Sequence, residues 1–309
     1  MKKFNDLKIG TRLNISFIVL FILILGSLAS YSISSQKRKL SSDTDTRMYE
    51  QVNDLANIIE QQVSQNQKFT ENALKYFVQS TLGSGTLTPS DQIIQVEAEN
   101  QVTKDVQSIA IKSVQFNGNS LYNNTKIVDE AAKLSGTVCT ILQKIPQGYL
   151  RISTSAFKSD GKRGINTYIP SNSPVAIALD KSEEYVDRAF AYDQWYLTAY
   201  KAFTLNDGNK IAMATATPEK EMTSLKKIFN DKKYFESGFP FLVDNLGNII
   251  IHPQLEGQNV KESDIFKLVT ANKDGYGSSM YNWEGRAKQL YYKYIPKIES
   301  YVVANITRD

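Results

Sequence analysis

The sequence predicts an α+β protein in which one long helix precedes two antiparallel sheets. Three observations carry this prediction. An uncharged apolar segment covers residues 13–36, apolar residues recur at helical spacing after it, and β-rich segments alternate with glycine-containing turns from Gly136 onward. The chain has 309 residues, of which 41% are hydrophobic. This is enough for about two folded units.

The apolar segment 13–36 is long enough to cross a membrane, because a bilayer core about 30 Å thick needs roughly 20 helical residues. Basic residues flank it on both sides, and the positive-inside rule slightly favours a cytoplasmic tail over residues 1–12. The alternative is a cleaved secretory signal, since Ser27 and Ala29 supply the small residues that a signal peptidase needs. With either interpretation, residues 37–309 are expected to lie outside the cytoplasm, in a periplasmic or extracellular location.

The helical pattern continues beyond the apolar segment. Apolar residues recur at steps of three or four, at Met48, Val52, Leu55, Ile59 and Val63. A helix unbroken to about residue 80 would project roughly 65 to 70 Å, at about 1.5 Å per residue. The apolar stripe either packs on the helix's own domain or contributes to a dimer seam, and the sequence leaves both open.

Further helices are expected before and between the sheets. After a turn near residues 82–89, helical spacing indicates helices over residues 91–114, 124–134 and 218–230. We therefore assign residues 37–135 to a helical stalk and the helices of a first module.

Beyond Gly136 the apolar residues follow a period of two. Four pairs of β-rich segments each enclose a short turn, which is typical of hairpins. The turns are Asp160-Gly161, Asp207-Gly208, Leu246-Gly247 and Glu284-Gly285. A last strand is expected over residues 301–306. Because the predicted helix 218–230 separates two sets of hairpins, we expect one sheet module over residues 136–230 and another over residues 231–309.

Composition argues against several functions. The net charge is only +4, from 36 basic and 32 acidic residues, and such a balance does not indicate nucleic-acid binding. The single Cys139 and the single His252 provide neither a disulfide nor a histidine pair for a metal. No P-loop, H-E-x-x-H or G-x-S-x-G motif is present. We therefore expect no enzyme activity, no catalytic residue, no metal and no cofactor.

Several blocks of the sequence resemble known proteins. Residues 8–13, KIGTRL, resemble the basic tail before the first membrane helix of bacterial methyl-accepting chemotaxis receptors. From Gly136 onward, GTVCTILQ, RISTSAFKSDGKRGINTYI, YVDRAFAYDQWYLTAYKAF and GFPFLVDNLGNIIIHP resemble successive blocks of the double Cache family, of the Cache 3/Cache 2 fusion type. The resemblance implies two PAS-like modules that stand on the membrane as a homodimer, with the ligand in the membrane-distal module, residues 136–230. The membrane-proximal module, residues 231–309, would relay movement.

The resemblance implies the extracytoplasmic ligand-sensing region of a transmembrane chemotaxis receptor that binds a small anionic organic molecule. Amino-acid-binding members carry an arginine where this chain has Asp193, so free amino acids are not the expected ligands. One alternative is the same sensor in a histidine kinase or cyclase, and another is a membrane-anchored envelope protein that binds a protein partner. The given sequence ends where the family places a second membrane helix and the cytoplasmic signalling half, so we expect either a piece of a receptor or a stand-alone sensor.

Nine side chains of the first module are candidates for the ligand pocket. Three are arginines, Arg151, Arg163 and Arg188, because a planar guanidinium can hold a carboxylate through two parallel hydrogen bonds. The others are polar or aromatic strand residues: Thr154, Tyr168, Trp195, Tyr196, Thr198 and Tyr200. Strand alternation places Trp195 on the face opposite to Tyr196, Thr198 and Tyr200, so these residues cannot all line one pocket. Solvated arginines and ordinary aromatic core packing are the alternatives.

Overall fold

The computed structural model describes residues 8–192, 194–219, 222–272, 275–283 and 285–307. The chain divides into two compact units. Residues 57–231 form one, and residues up to 56 together with those from 232 onward form the other. We call them the nine-stranded unit and the five-stranded unit after their sheets. The predicted α+β class with two antiparallel-rich sheets is confirmed.

The first helix, α1 (Ile9–Ser84), is unbroken over 76 residues and contributes to both units. Its N-terminal part is apolar, with an 18-residue window whose mean hydropathy is 2.3 and which is not buried within the chain. This helix is long and apolar enough to cross a membrane. Further along, Val52, Leu55, Ile59 and Val63 are fully buried, so this stripe packs on the units of its own chain.

The prediction of a helix over residues 91–114 was wrong. This part of the chain forms the antiparallel hairpin of β1 (Leu87–Asn100) and β2 (Val106–Phe116). The segment is rich in β-branched residues, which lose side-chain freedom in a helix and pack well on a sheet. Its turn is fixed by the Asn100 side chain, whose Oδ1 accepts the backbone N–H of Val102 at 2.8 Å.

The remaining elements of the nine-stranded unit are β3 (Asn119–Ser120), α2 (Lys126–Ser135), β4 (Val138–Ile145), β5 (Gly148–Thr154), β6 (Thr167–Pro170), α3 (Pro174–Asp180), β7 (Tyr185–Ala191), β8 (Gln194–Thr204), β9 (Lys210–Pro218) and α4 (Thr223–Asp231). The strand order is β3-β2-β1-β6-β5-β4-β9-β8-β7, and only β1 and β6 pair in parallel. The expected helix 218–230 starts later, at Thr223, because Pro218 pairs with Tyr196 at the end of β9.

The central strands of this sheet are covered on both faces. One face carries Leu150 and Ile152, which pack with Phe77 of α1 in one core. The other face carries Tyr149 and packs with Leu179 of α3. All seven residues of β5 are buried as a result. Arg151 therefore lies in a central, fully covered strand rather than at the surface.

The five-stranded unit contains β10 (Pro240–Asp244), β11 (Ile249–Ile251), α5 (Asp264–Thr270), β12 (Tyr276–Trp283), β13 (Arg286–Ile295), a single 3₁₀ turn (Pro296–Ile298) and β14 (Ser300–Thr307). The strand order is β11-β10-β14-β13-β12, with every pair antiparallel. The predicted hairpins and last strand are confirmed, although Glu284 of the β12–β13 turn lies outside the described residues.

His252 gives the five-stranded unit a pH-dependent contribution to stability. Its ring packs against Phe239 and Phe241 at centroid distances of 5.1 and 5.5 Å, and burial lowers the pKa of His252 below the usual 6.5. His252 therefore takes up a proton more readily in the unfolded chain than in the folded chain. The free energy of unfolding falls as the pH drops below about 6.5, the pKa of histidine in the unfolded chain. We expect the midpoint of urea unfolding to fall between about pH 7 and about pH 5.5, and His252→Gln to reduce this fall. An equal fall in the variant would contradict this assignment.

Candidate functional site

A narrow pocket lies on one face of the sheet in the nine-stranded unit. Strands β4, β5, β8 and β9 and the end of β7 contribute its walls. It is lined by Val138, Thr140, Arg151, Ala191, Tyr192, Tyr196, Thr198, Tyr200, Ala214, Thr215 and Ala216. Its free volume is about 20 Å³, which is room for about one water molecule. The walls must therefore move before the pocket can hold a metabolite.

Arg151 is the charged residue of this lining, and only 3% of it is exposed. Its Nη1 donates to Thr167 Oγ1 at 2.9 Å, and its Nη2 donates to Gln101 Oε1 at 2.7 Å. Gln101 is itself fixed, because its Nε2 donates to the carbonyl of Phe190 at 3.0 Å and its backbone N–H donates to that of Tyr168 at 3.1 Å. The guanidinium is thus held in one orientation by neutral groups.

The charge of Arg151 is not balanced within the part of the chain that the structure describes. No carboxylate there forms an ion pair with it. Burying a charge without an opposite charge is costly, because the lost hydration is not replaced by an attraction of equal strength. A guanidinium also has more N–H donors than these two hydrogen bonds use. Arg151 is therefore suited to receive an anionic group that enters the pocket.

Tyr192 covers this guanidinium. The Cζ atom of Arg151 lies 5.0 Å from the centre of the Tyr192 ring, within the range of a cation–π contact. The ring also fills the space beside Gly164, where a Cβ atom would come within 2.2 Å of the Tyr192 hydroxyl. Among the described residues, this buried hydroxyl has no hydrogen-bond partner. Tyr192 has a positive φ of 49° at the β7–β8 turn, which is uncommon for an aromatic residue.

Tyr196, Thr198 and Tyr200 follow one another on the pocket face of β8. Burial raises the pKa of Tyr200 to about 12, and the charge of Arg151 acts in the opposite direction. Burial also raises the pKa of Tyr196, whose hydroxyl accepts a hydrogen bond from Gln194 Nε2 at 2.6 Å. Thr198 Oγ1 donates to the carbonyl of Asp187 at 2.7 Å. At neutral pH the two tyrosines are therefore neutral, and Arg151 is the charge in the pocket.

The structure brings together four of the nine predicted candidates, Arg151, Tyr196, Thr198 and Tyr200. Thr154 lies behind the lining, with its Oγ1 2.7 Å from Thr140 Oγ1. Tyr168 belongs to the core on the opposite sheet face.

Arg163, Arg188 and Trp195 lie outside the pocket. Arg163 forms a two-pronged pair with Asp129, at 2.8 and 3.0 Å. Arg188 pairs with Glu219 and stacks over Trp195, with its Cζ 4.0 Å from the ring centre.

Sequence reasoning missed Gln101 and Tyr192. Gln101 was missed because its segment had been assigned to a helix, so nothing connected it with β5. Tyr192 lies in the β7–β8 turn, and its positive φ has no sequence signal of its own. Asp193, the position on which the argument against amino acids depends, lies outside the described residues.

No other centre of reactivity emerges from the described part of the chain. It contains no group of three or more metal-ligating side chains. Cys139 is buried, and this burial raises the pKa of its thiol, so the reactive thiolate is disfavoured. The Arg151 pocket is therefore the candidate functional site.

Comparisons with solved structures give neighbours of low sequence identity. The ligand-binding domain of the Campylobacter jejuni chemoreceptor Tlp3, in complex with 4-methylisoleucine, is 14% identical with a TM-score of 0.48, over 86% of this chain and 91% of that one. The ligand-binding domain of the Pseudomonas fluorescens chemoreceptor CtaA, in complex with L-isoleucine, is 15% identical with a TM-score of 0.44, over 89% and 96%. A sequence comparison with curated proteins gives no match.

A family model provides the decisive comparison. The model described as the Cache 3/Cache 2 fusion domain matches residues 33–309, which is nearly the whole chain beyond the apolar segment. Domains of this kind bind ligands and are not catalytic. This chain therefore belongs to the Cache 3/Cache 2 fusion family, and its two sheets are those of a double Cache sensor domain.

Proposed function

We propose that this chain is the sensing part of a transmembrane chemotaxis receptor and that it binds a small organic molecule through a carboxylate. Residues 13–36 anchor it in the bacterial inner membrane, and the nine-stranded unit is the membrane-distal, ligand-binding module. The observation that carries the proposal is Arg151, a buried guanidinium in the pocket that is held only by neutral partners. A bound carboxylate supplies the opposite charge and accepts two parallel hydrogen bonds.

Small carboxylates as a class fit this pocket better than bulky ones. The surrounding side chains are small or aromatic, and Ala191, Ala214 and Ala216 leave space for an apolar substituent once the walls separate. The tyrosine and threonine hydroxyls provide polar contacts that distinguish one acid from another. Among acids, the amino acids bound by the structural neighbours are one group to be compared with simple mono- and dicarboxylates.

The pocket strands also connect the ligand to α1. From β9, Thr215 Oγ1 donates to the α1 carbonyl of Thr70 at 2.7 Å. Gln67 Nε2 of α1 donates to the carbonyl of Thr198 at 2.9 Å. A ligand that binds one arrangement of β8 and β9 more tightly than another therefore biases the position of α1. A small shift of this helix is the signal that we expect the membrane to receive.

The proposal is tested with the full chain in lipid nanodiscs, by thermal unfolding with a panel of small carboxylic acids. Each acid is paired with its methyl ester or amide, which keeps the shape and removes the charge. A ligand at about a hundredfold excess over its Kd stabilises the folded state by about 2.7 kcal/mol. We expect at least one acid to raise the unfolding temperature while its ester does not. A panel in which acids and esters behave alike contradicts the proposal.

The substitution Tyr192→Phe is expected to weaken ligand binding without lowering the stability of the free protein. In the free protein the substitution removes a buried hydroxyl that has no partner among the described residues, so stability is expected to stay equal or rise by up to about 1 kcal/mol. In the complex the same hydroxyl is free to donate to the ligand, so binding should weaken by roughly five- to tenfold. Calorimetric titration and urea unfolding of both proteins measure the two effects. Unchanged affinity would show that the hydroxyl does not contact the ligand.

A further inference from the structure

We propose that the β12–β13 hairpin of the five-stranded unit rests on the bilayer surface, with Trp283 in the lipid headgroup region. The inference extends the proposed function, because it requires residues 13–36 to span the membrane. It concerns only α1 and strands of the same unit. The partner is the phospholipid surface, which makes this hairpin a second point of membrane contact beside the spanning helix.

Strand β12 runs alongside α1 in the opposite direction, as three successive levels of contact show. Tyr49 of α1 packs on Tyr276 at a centroid distance of 4.9 Å. Asp45, one helical turn earlier, accepts a hydrogen bond from Tyr291, whose β12 register partner is Ser278. Leu40 and Met280 then line one shared groove. Moving down α1 toward the apolar segment therefore means moving along β12 toward its C-terminal end.

The spacing of these levels gives the position of Trp283, the last residue of β12. From Tyr49 to Leu40 the helix descends about 14 Å at 1.5 Å per residue, and from Tyr276 to Met280 the strand covers about 13 Å. The two elements thus advance together. Trp283 lies about 10 Å further along the strand, which equals about six or seven residues of helix. This places Trp283 level with residues 33–34 of α1, at the end of the apolar segment.

The side chains at these levels are typical of a membrane interface. Apolar residues that are at least 45% exposed gather there, namely Leu40, Phe235, Met280 and Trp283. Leu40, Phe235 and Met280 line the same groove, and Phe235 is held at an unusual positive φ of 54°. Tryptophan and other amphipathic aromatic residues concentrate where a membrane meets water. Exposure of such a cluster to water is unfavourable, whereas its burial at the bilayer surface stabilises the membrane-bound protein.

Basic residues at the same levels complement an anionic lipid surface. Lys37, Arg38 and Lys39 follow the apolar segment directly, and Arg286 and Lys288 follow the hairpin turn. Each basic residue near such a surface adds to the attraction. Glu236 and Glu284 adjoin Phe235 and Trp283 in sequence and oppose part of this attraction. The apolar contact is therefore the larger contribution, and anionic lipid strengthens it.

The chain offers a matched pair of probes, because it has two tryptophans. Trp195→Phe leaves Trp283 as the only tryptophan, and Trp283→Phe leaves Trp195, in the nine-stranded unit. Both full-length variants are placed in phosphatidylcholine–phosphatidylglycerol vesicles that contain lipids brominated near the carbonyl end of the acyl chains. We expect the emission of Trp283 to shift to shorter wavelength and to fall by roughly half, because interfacial tryptophans lie beside these atoms. The emission of Trp195 should not change.

Extraction with alkaline carbonate distinguishes the hairpin contact from the proposed membrane anchor, because it tests only whether the chain is anchored in the bilayer. If the chain stays in the vesicles and Trp283 is not quenched, or both tryptophans are quenched equally, the hairpin contact is overturned and the spanning helix stands. If carbonate releases the chain, the membrane anchor itself fails, and the hairpin contact fails with it. A blue shift of Trp283 that depends on protein concentration, without quenching, would show that a second copy of the chain covers the surface instead.

Discussion

Replacing Arg151 with methionine is expected to abolish binding of the carboxylate ligand without unfolding the protein. Hydrogen bonds to a charged group contribute about 1.5–3 kcal/mol each, and a guanidinium offers two of them in parallel. Because about 1.4 kcal/mol corresponds to a tenfold change in Kd, affinity should fall by at least about a hundredfold. The substitution leaves only neutral partners, Thr167 and Gln101. The free protein should therefore lose little stability, because removal of a buried charge offsets the hydrogen bonds that Thr167 and Gln101 lose.

Two variants sharpen this result. Arg151→Lys keeps the charge and loses the planar fork, so it should retain weak binding, intermediate between the original and Arg151→Met. Arg163→Lys is the matched control, because Arg163 is another arginine of the nine-stranded unit and is already paired with Asp129. This control should leave Kd unchanged in calorimetric titrations. Binding by Arg151→Met at the original affinity would show that the carboxylate is held elsewhere.

Loss of Arg188 is expected to cause the largest fall in stability. Glu219 is fully buried, and its Oε1 lies 2.8 Å from Arg188 Nε while its Oε2 accepts from Nη2 at 3.1 Å. Arg188→Met removes this positive partner from a carboxylate that is fully buried. Breaking such a pair typically costs about 3–5 kcal/mol. The free energy of unfolding, measured with urea on the full chain, should fall by this amount.

The double variant Arg188→Met/Glu219→Leu separates charge from packing. When both members of the pair are replaced by apolar groups, the cost of the broken ion pair is removed, so most of the lost stability should return. The ligand affinity of the double variant should stay near the original, because neither residue lines the pocket. A double variant as unstable as Arg188→Met would show that shape, and not the buried charge, determines the cost.

Those parts of the fold with local signals could be predicted from the sequence. The turn Asp207-Gly208 could be predicted because an Asp-Gly pair is typical of hairpin turns. The structure has Gly208 at a φ of 83°, which glycine adopts easily. The β1–β2 hairpin was not, since its apolar residues match helical spacing by chance and its pairing is decided by the rest of the sheet. Strand β5 shows no alternation because it is buried on both faces.

The site shows the same division. The sequence predicted three arginines as carboxylate-binding groups, because each has a guanidinium. Only the fold shows which of them already has an acidic partner. Arg163 and Arg188 meet Asp129 and Glu219, which lie 34 and 31 residues away along the chain. Arg151 meets neutral partners brought from positions 16 and 50 residues away. Which arginine remains without a carboxylate is a property of tertiary contacts, and no local pattern encodes it.

The Arg151 pocket is tested most directly by a crystal structure of the chain from residue 37 onward, grown with the acid that stabilises the protein most. We predict that the ligand carboxylate lies within hydrogen-bond distance of the Arg151 guanidinium, with Tyr192 displaced from its present contact and the β8–β9 walls moved apart. A ligand bound elsewhere, with Arg151 still covered by Tyr192 and bonded only to Thr167 and Gln101, would contradict it.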